Sequence, residues 1–127
     1  MRSASKAIIV SKNKYLLQLR DNKKNIYSPN CWGFFGGSCK KNETIEKCMR
    51  RELCEELSVN SNFMMKWYEC LNDKTGTYLY FFYVNLKNKI ALKKPNEGQA
   101  LAWFSKNQIK KLKKKAWDLK IFYDFLI

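Results

Sequence analysis

The sequence predicts an α/β fold in which a mixed β-sheet lies between helices. Three observations support this class: a β-hairpin pattern near the start, a nearly continuous apolar strand in the middle, and amphipathic helices on either side of it. The chain has 127 residues, of which 46% are hydrophobic, so it is long enough for a substantial core. We therefore expect residues 1–127 to form a single domain.

The first third of the chain is predicted to form strands. Ala7–Val10 and Tyr15–Leu19 flank a short polar stretch, which is the signature of a β-hairpin. Cys31–Phe35 is typical of a short buried strand that leads into Gly36 and Gly37. Two glycines allow the backbone to approach a ligand closely, although in isolation they would favour an ordinary tight turn.

A helix predicted from Thr44 to Leu57 carries the most informative pattern. Its apolar residues recur at three- and four-residue steps, and Glu52, Glu55 and Glu56 share one face beside this stripe. Like charges at this spacing repel, and the negative end of the helix dipole destabilises them further. A cation bound among the three carboxylates would offset both effects. The alternative is a glutamate-rich helix end that clusters without a function.

The residue types available limit which metal ion could bind. The chain contains no histidine, and its five cysteines include no Cys-x-x-Cys pair, which argues against a zinc site. Clustered carboxylates, completed by waters and substrate phosphates, are the usual way in which proteins hold Mg²⁺. We therefore predict a Mg²⁺ or Mn²⁺ ion.

Three more strands, the last a short apolar one that follows the loop of Glu97, and two more helices are predicted after this helix. Phe63–Cys70 and Thr77–Leu86 are typical of strands around a polar turn, and the second is so apolar that we expect it to be central and covered on both faces. Ser105–Leu112 is predicted to be a helix capped by the serine hydroxyl. Trp117–Ile127 is predicted to be a final amphipathic helix packed on the sheet.

The net charge of +14 indicates attraction for polyanions, including nucleotide phosphates. The lysine-rich run Lys110–Lys115 could bind nucleic acid, but a solvated helix face or turn is favoured, because specific nucleic-acid contacts favour arginine.

The chain has no apolar run long enough to cross a bilayer and no apolar signal region at its start. An odd number of cysteines without a secretory signal predicts reduced thiols and a cytoplasmic location.

The spacing around the glutamates resembles a known family motif. Gly37, five residues, Glu43, seven residues and then Arg51-Glu52-Leu53-x-Glu55-Glu56-x-Ser58-Val59 is similar to the Nudix box. The family has glycine where this chain has Ser58, and usually proline where it has Phe35. Serine adopts the left-handed conformation less readily than glycine, so we expect strain of about 1 kcal/mol or a cap shifted to Asn60.

The resemblance implies a Nudix α/β/α sandwich over essentially the whole chain. A second stretch, Glu97-Gly98-Gln99 followed by Trp103, resembles MutT-like members in which that glutamate joins the metal site. The implied metal set is Glu52, Glu55, Glu56, Glu97 and the Gly37 carbonyl. The implied catalytic set is Glu55, Glu56, Glu52, Arg51 and Glu43.

The resemblance also implies individual roles. Arg51 and Glu43 would hold the helix and its loop in place, and Glu55 or Glu97 would be the general base. Arg20, Gly36 and Gly37 would contact the substrate.

The implied activity is hydrolysis of the diphosphate linkage in a nucleoside diphosphate bonded to a group X. A MutT-like cleavage of nucleoside triphosphates to monophosphate and pyrophosphate is favoured. The alternatives are hydrolysis of a nucleotide sugar or another such derivative, and a non-catalytic module that binds RNA or nucleotides. No membrane partner is expected, and the sequence does not indicate an oligomeric state.

Overall fold

A computed structural model describes residues 2–24, 26, 28–60, 64–86 and 99–126, with side chains as far as Tyr123 in the last helix. The elements in these ranges are β1 (Arg2–Ser11), β2 (Lys14–Leu19), β3 (Trp32–Ser38), α1 (Ile45–Leu57), β4 (Met65–Asn72), β5 (Thr77–Asn85), β6 (Ala100–Phe104), α2 (Lys106–Lys111) and α3 (Trp117–Leu126).

The described strands form one six-stranded mixed sheet in the order β4-β5-β1-β3-β2-β6. β1 and β5 run parallel from Arg2↔Thr77 to Val10↔Asn85, and the other pairings are antiparallel. The strands β1 and β3 therefore occupy the centre. β5 is an interior strand, flanked by β4 and β1, and Phe81 and Phe82 are buried on its two faces. The prediction that β5 is covered on both faces is confirmed, and the strand lies one place from the middle of the sheet.

The predicted hairpin is present only at its turn. β1 and β2 pair at Val10↔Tyr15 and Ser11↔Lys14, and then they diverge because β3 enters between them. β1 also begins at Arg2, earlier than predicted, since its first half is held by β3 and β5 rather than by β2. Alternating hydrophobicity along one strand carries no information about such distant partners.

The sheet is buried on both faces, which gives two cores. The core on the α1 face, called here the α1-side core, consists of Ala7, Ile9, Leu16, Phe35, Met49, Leu53, Val59, Phe82 and Val84. The core on the other face, the α3-side core, consists of Ala4, Ile8, Val10, Leu17, Phe34, Leu79, Phe81, Ile109, Leu119 and Phe122. Successive residues of a strand point to opposite faces of the sheet. Phe34 and Phe81 therefore pack in the α3-side core, whereas their neighbours Phe35 and Phe82 pack in the α1-side core. The predicted α/β/α sandwich is confirmed.

The predicted helices are confirmed with small shifts at their ends. The Thr44 hydroxyl caps α1 by accepting the Lys47 N–H at 3.2 Å. Ser105 caps α2 and forms a reciprocal capping box with Gln108. Leu119 and Phe122 of α3 are buried against the sheet, as predicted. No helix among the described residues is long and apolar enough to span a membrane.

Several predicted positions lie outside the described residues. Glu97 and Gly98 are among them, as are Phe63 and the final residue Ile127. Gly36 and Gly37 are described, and they belong to β3 itself rather than to a loop after it.

Candidate active site

The end of β3 is shaped by close packing on its two glycines. A Cβ atom on Gly37 would lie only 2.6 Å from Cδ of Glu52, so the carboxylate of α1 rests directly on the strand backbone. A Cβ on Gly36 would overlap the Ser5 carbonyl and lie 2.9 Å from Cα of Lys6. The protein's own groups therefore already use the space that these glycines leave.

Arg51 joins the loop before α1 to the helix. Its Nε and Nη2 donate to the two carboxylate oxygens of Glu43 at 2.7 and 3.0 Å, a bidentate pair. Nη2 also donates to the Ser38 carbonyl at 3.2 Å, and the Lys40 N–H donates to Glu43 at 2.9 Å. The bond from Arg51 lowers the pKa of Glu43 to about 2, and the same contact raises the pKa of Arg51.

Arg51 also contacts two of the three clustered glutamates. Its Nη1 lies 3.0 Å from Glu52 Oε1 and 3.5 Å from Glu55 Oε2. The Glu52 side chain is 14% exposed and that of Glu55 is 55% exposed, so the two carboxylates differ in access to solvent. Repulsion between the glutamates was the reason to expect a bound cation. The positive charge of Arg51 offsets part of that repulsion.

Glu56 lies half-buried on the same helix. Within the described part of the chain, no three acidic, cysteine or histidine side chains lie together as a ready site for a metal ion. The predicted donors are carboxylates and the Gly37 carbonyl, which are oxygen ligands of the kind that Mg²⁺ and Mn²⁺ prefer. That carbonyl accepts a weak bond from the Cys48 thiol at 3.8 Å, inside the fold. The chemistry of the donor set fits such an ion.

Ser58 ends α1 in the left-handed region, at φ 54° and ψ 32°. Its N–H donates to the Cys54 carbonyl and that of Val59 to the Leu53 carbonyl, each at 3.1 Å. The cap therefore stays at Ser58 and does not shift to Asn60. Ser58 therefore adopts the left-handed conformation that glycine favours, at the position where the family pattern has glycine.

A cavity of about 660 Å³ lies on the α3 face of the sheet and extends to the end of β3. Three residues predicted to contact the substrate, Arg20, Gly36 and Gly37, all line it. Arg20 directly follows β2, and its carbonyl accepts a bond from Gln99 Nε2 at 2.8 Å. The cavity and the glutamates of α1 thus lie on opposite faces of the sheet and meet at the end of β3.

Sequence reasoning missed an ion pair at the cavity. Lys6 Nζ of β1 lies 3.7 Å from Oδ2 of Asp118, in the first turn of α3, and both line the cavity. Burial lowers the pKa of Lys6, and the nearby Asp118 opposes that shift. The available signal was a lysine that alternates with Ala4, Ile8 and Val10 on the same face of β1.

Comparison with solved structures agrees with this fold. A MutT NUDIX hydrolase from Burkholderia pseudomallei superposes with a TM-score of 0.76 and 21% identity, over 99% of this chain and 98% of that one. The NUDIX domain of Shewanella oneidensis NrtR, solved with ADP ribose, gives 0.75 and 15%, over 95% and 83%. A bifunctional NMN adenylyltransferase/ADP ribose pyrophosphatase from Francisella tularensis gives 0.71 and 18%, over 98% and 40%. No curated protein matches the chain by sequence.

The mixed sheet, the helix with its glutamate cluster and the terminal helices define the Nudix fold class. The NUDIX domain profile matches residues 1–125, and the chain therefore belongs to the Nudix family. As a Nudix hydrolase it is a pyrophosphohydrolase, an enzyme that acts on phosphorus-containing acid anhydrides.

Proposed function

We propose that this protein is a Mg²⁺- or Mn²⁺-dependent enzyme that cleaves the diphosphate linkage of a nucleoside diphosphate bonded to a group X. The observation that carries the proposal is the Arg51 network, which fixes Glu52 against Gly37 at the end of a cavity lined by several basic residues. The substrate favoured is a nucleoside triphosphate, cleaved to monophosphate and pyrophosphate as in MutT-like members.

The ion would be held by the predicted set Glu52, Glu55, Glu56, Glu97 and the Gly37 carbonyl. When bound, it offsets the negative charge of the diphosphate and lowers the pKa of a water ligand.

The chain's own groups supply the other requirements. Arg20 lies on the cavity wall, where its guanidinium can donate to phosphate oxygens. Arg51 and Glu43 hold the loop against α1, so the glutamates keep a fixed position. Glu55, being exposed, is available to accept the proton of the attacking water, and Glu97 is the alternative base.

Activity should be measured with Mg²⁺, with Mn²⁺ and with a chelator on nucleoside triphosphates, nucleotide sugars, ADP-ribose and 5′-triphosphate RNA. We expect metal-dependent turnover that Glu56→Gln reduces by about 100-fold or more, because a metal-site carboxylate is lost. Glu46→Gln is the matched control, since Glu46 is an exposed carboxylate in the first turn of the same helix. Product analysis of the best substrate identifies the bond that is cleaved.

The alternative class is a non-catalytic module that binds RNA or nucleotides. Lys110, Lys111, Lys113 and Lys114 are exposed, which leaves a basic surface available for such binding. Absence of metal-dependent turnover on the whole panel, together with salt-sensitive binding of RNA, would replace the proposed activity by this one.

A further inference from the structure

The ion pair between Lys6 and Asp118 lies at the inner wall of the cavity. The two side chains are only 13% and 6% exposed. Burying charged groups is costly unless they are paired, so this pair differs from the many lysines on the surface. A general enrichment in lysine does not account for a lysine in this place.

Asp118 is held in position by the backbone around it. Its Oδ2 accepts the Phe34 N–H at 3.2 Å, and its Oδ1 accepts the Leu119 N–H at 2.8 Å. A Cβ atom on Gly33 would lie 2.9 Å from Oδ1, so the glycine leaves the room that the carboxylate occupies. The carboxylate is therefore a fixed anchor with most of its accepting capacity already used.

Lys6, in contrast, retains donor capacity. An ammonium group has three N–H donors, and Asp118 is the ion-pair partner that the described residues provide. The 3.7 Å separation is longer than a good hydrogen bond, so the contact is mainly electrostatic. The ammonium group can therefore donate to a molecule in the cavity while Asp118 balances its charge.

The cavity connects this lysine to the end of β3. It is lined both by Lys6 and Asp118 and by Gly37 and Ser38, which lie beside the α1 carboxylates. A substrate with its diphosphate at Gly37 would extend the remainder of the molecule past Lys6. Among the described residues that line this cavity, Asp118 is the one carboxylate, whereas Arg2, Arg20 and Lys74 add further positive charge. The basic side chains of the cavity wall can thus donate hydrogen bonds to a bound molecule.

We propose that Lys6 is a specificity-determining residue, which donates a hydrogen bond to an oxygen acceptor on the part of the substrate beyond the scissile diphosphate. The inference rests on the proposed function, because it assigns the cavity to that substrate. The acceptor is either a keto oxygen of a base or an oxygen of an additional phosphate. An amino group at the same place would point its N–H donors at those of Lys6, so a substrate that carries one is disfavoured.

The test compares substrates that differ in that acceptor. GTP against ATP and UTP against CTP exchange a keto oxygen for an amino group, and NADPH against NADH adds one phosphate. Wild type should favour the acceptor-bearing member of one of these comparisons. Lys6→Met should lower kcat/KM for that member by about 10- to 100-fold, whereas kcat/KM for its partner should stay the same or rise.

Two variants control the interpretation. Lys111→Met makes the same change of charge on the exposed side of α2, and it should keep the wild-type preference. The double variant Lys6→Met with Asp118→Asn removes both charges together, so no buried carboxylate is left unpaired. If the single variant does not fold, the double variant should show the same loss of preference.

A folded Lys6 variant that hydrolyses every substrate with the wild-type ratios would overturn the inference and leave the proposed function intact. If wild type hydrolyses nothing on the panel, the proposed function fails, and calorimetric binding decides the inference. GMP against AMP and NADP⁺ against NAD⁺ are then titrated into wild type and Lys6→Met. Equal binding within both pairs, or a preference that the variant keeps, overturns the inference as well.

Discussion

Arg51 shows how one side chain can hold an acidic site together. Its guanidinium contacts Glu43, Glu52, Glu55 and the Ser38 carbonyl at the same time. A planar group with five donors can satisfy several acceptors in fixed directions, whereas a lysine ammonium would act as a single point of charge. The arginine therefore sets the geometry of the loop and of the carboxylates together.

The Glu43–Arg51 pair predicts a dependence of stability on pH. The pKa of Glu43 is about 2 in the folded protein, below its ordinary value of 4.5. Because the folded-state pKa is depressed, ionised Glu43 stabilises the fold above about pH 4.5, and this contribution is lost as the pH falls toward 2. Glu43→Gln should therefore be less stable than wild type at neutral pH, and the difference should shrink in that window.

Urea unfolding of both proteins from neutral pH down to about pH 2 measures this difference. A difference in unfolding free energy that stays constant throughout would contradict the role of the pair. Glu46→Gln controls for the change in net charge, since Glu46 has no ion-pair partner among the described residues.

Helix α1 is defined at both ends by backbone geometry. Thr44 caps its start, and Ser58 closes its end in a conformation that favours glycine. The buried Val59 follows directly and packs with Leu53 in the α1-side core, so the turn also directs the chain into the interior. These contacts fix the last turn of the helix, which carries Glu55 and Glu56.

Ser58→Gly should stabilise the protein by about 1 kcal/mol, because the strain of a Cβ atom at a positive φ is removed. The unfolding free energy from urea denaturation checks this. Ser105→Gly is the matched control, since Ser105 has φ −75° and caps α2 with its hydroxyl. That variant should lose a few tenths of a kcal/mol. Destabilisation by Ser58→Gly would show that the serine side chain contributes more than its backbone conformation costs.

At the scale of the molecule, the packing of α1 on the sheet shields one cysteine of this helix from solvent and leaves another accessible. Cys48 is fully buried against the α1 face, and burial raises the pKa of its thiol to about 12. Cys54, on the same helix, is exposed. The reactive form of cysteine is the thiolate. Cys48 is therefore protected from alkylation both by its burial and by staying protonated.

Iodoacetamide at about pH 8 should modify Cys54 in the native protein and reach Cys48 only after unfolding. Peptide mass spectrometry after timed exposure, with and without denaturant, measures both sites in one sample. Equal labelling rates of the two thiols under native conditions would mean that α1 opens easily from the sheet.

The sequence was informative where a signal is local. The helical period and the serine and threonine caps placed α1 and α2 within a residue or so, and the spacing of Arg51 and the glutamates identified the family. The centre of the sheet was not predicted, because the pairing of β1 with β5 joins residues about 75 positions apart. The cavity was missed for the same reason, since Lys6 and Asp118 come from opposite ends of the chain.

The two glycines at the end of β3 separate two surfaces that can change independently. Gly37 faces the carboxylates of α1, whereas Gly36 faces Lys6 and the cavity. Substitutions on the cavity wall away from Gly37 can therefore accumulate without contacting the glutamates that we propose to hold the metal ion. A library that randomises Ile26, Lys74 and Thr77, which line the cavity but belong to neither buried core, would be a practical route to redirect this hydrolase to new substrates, because it leaves the glutamates of α1 in place.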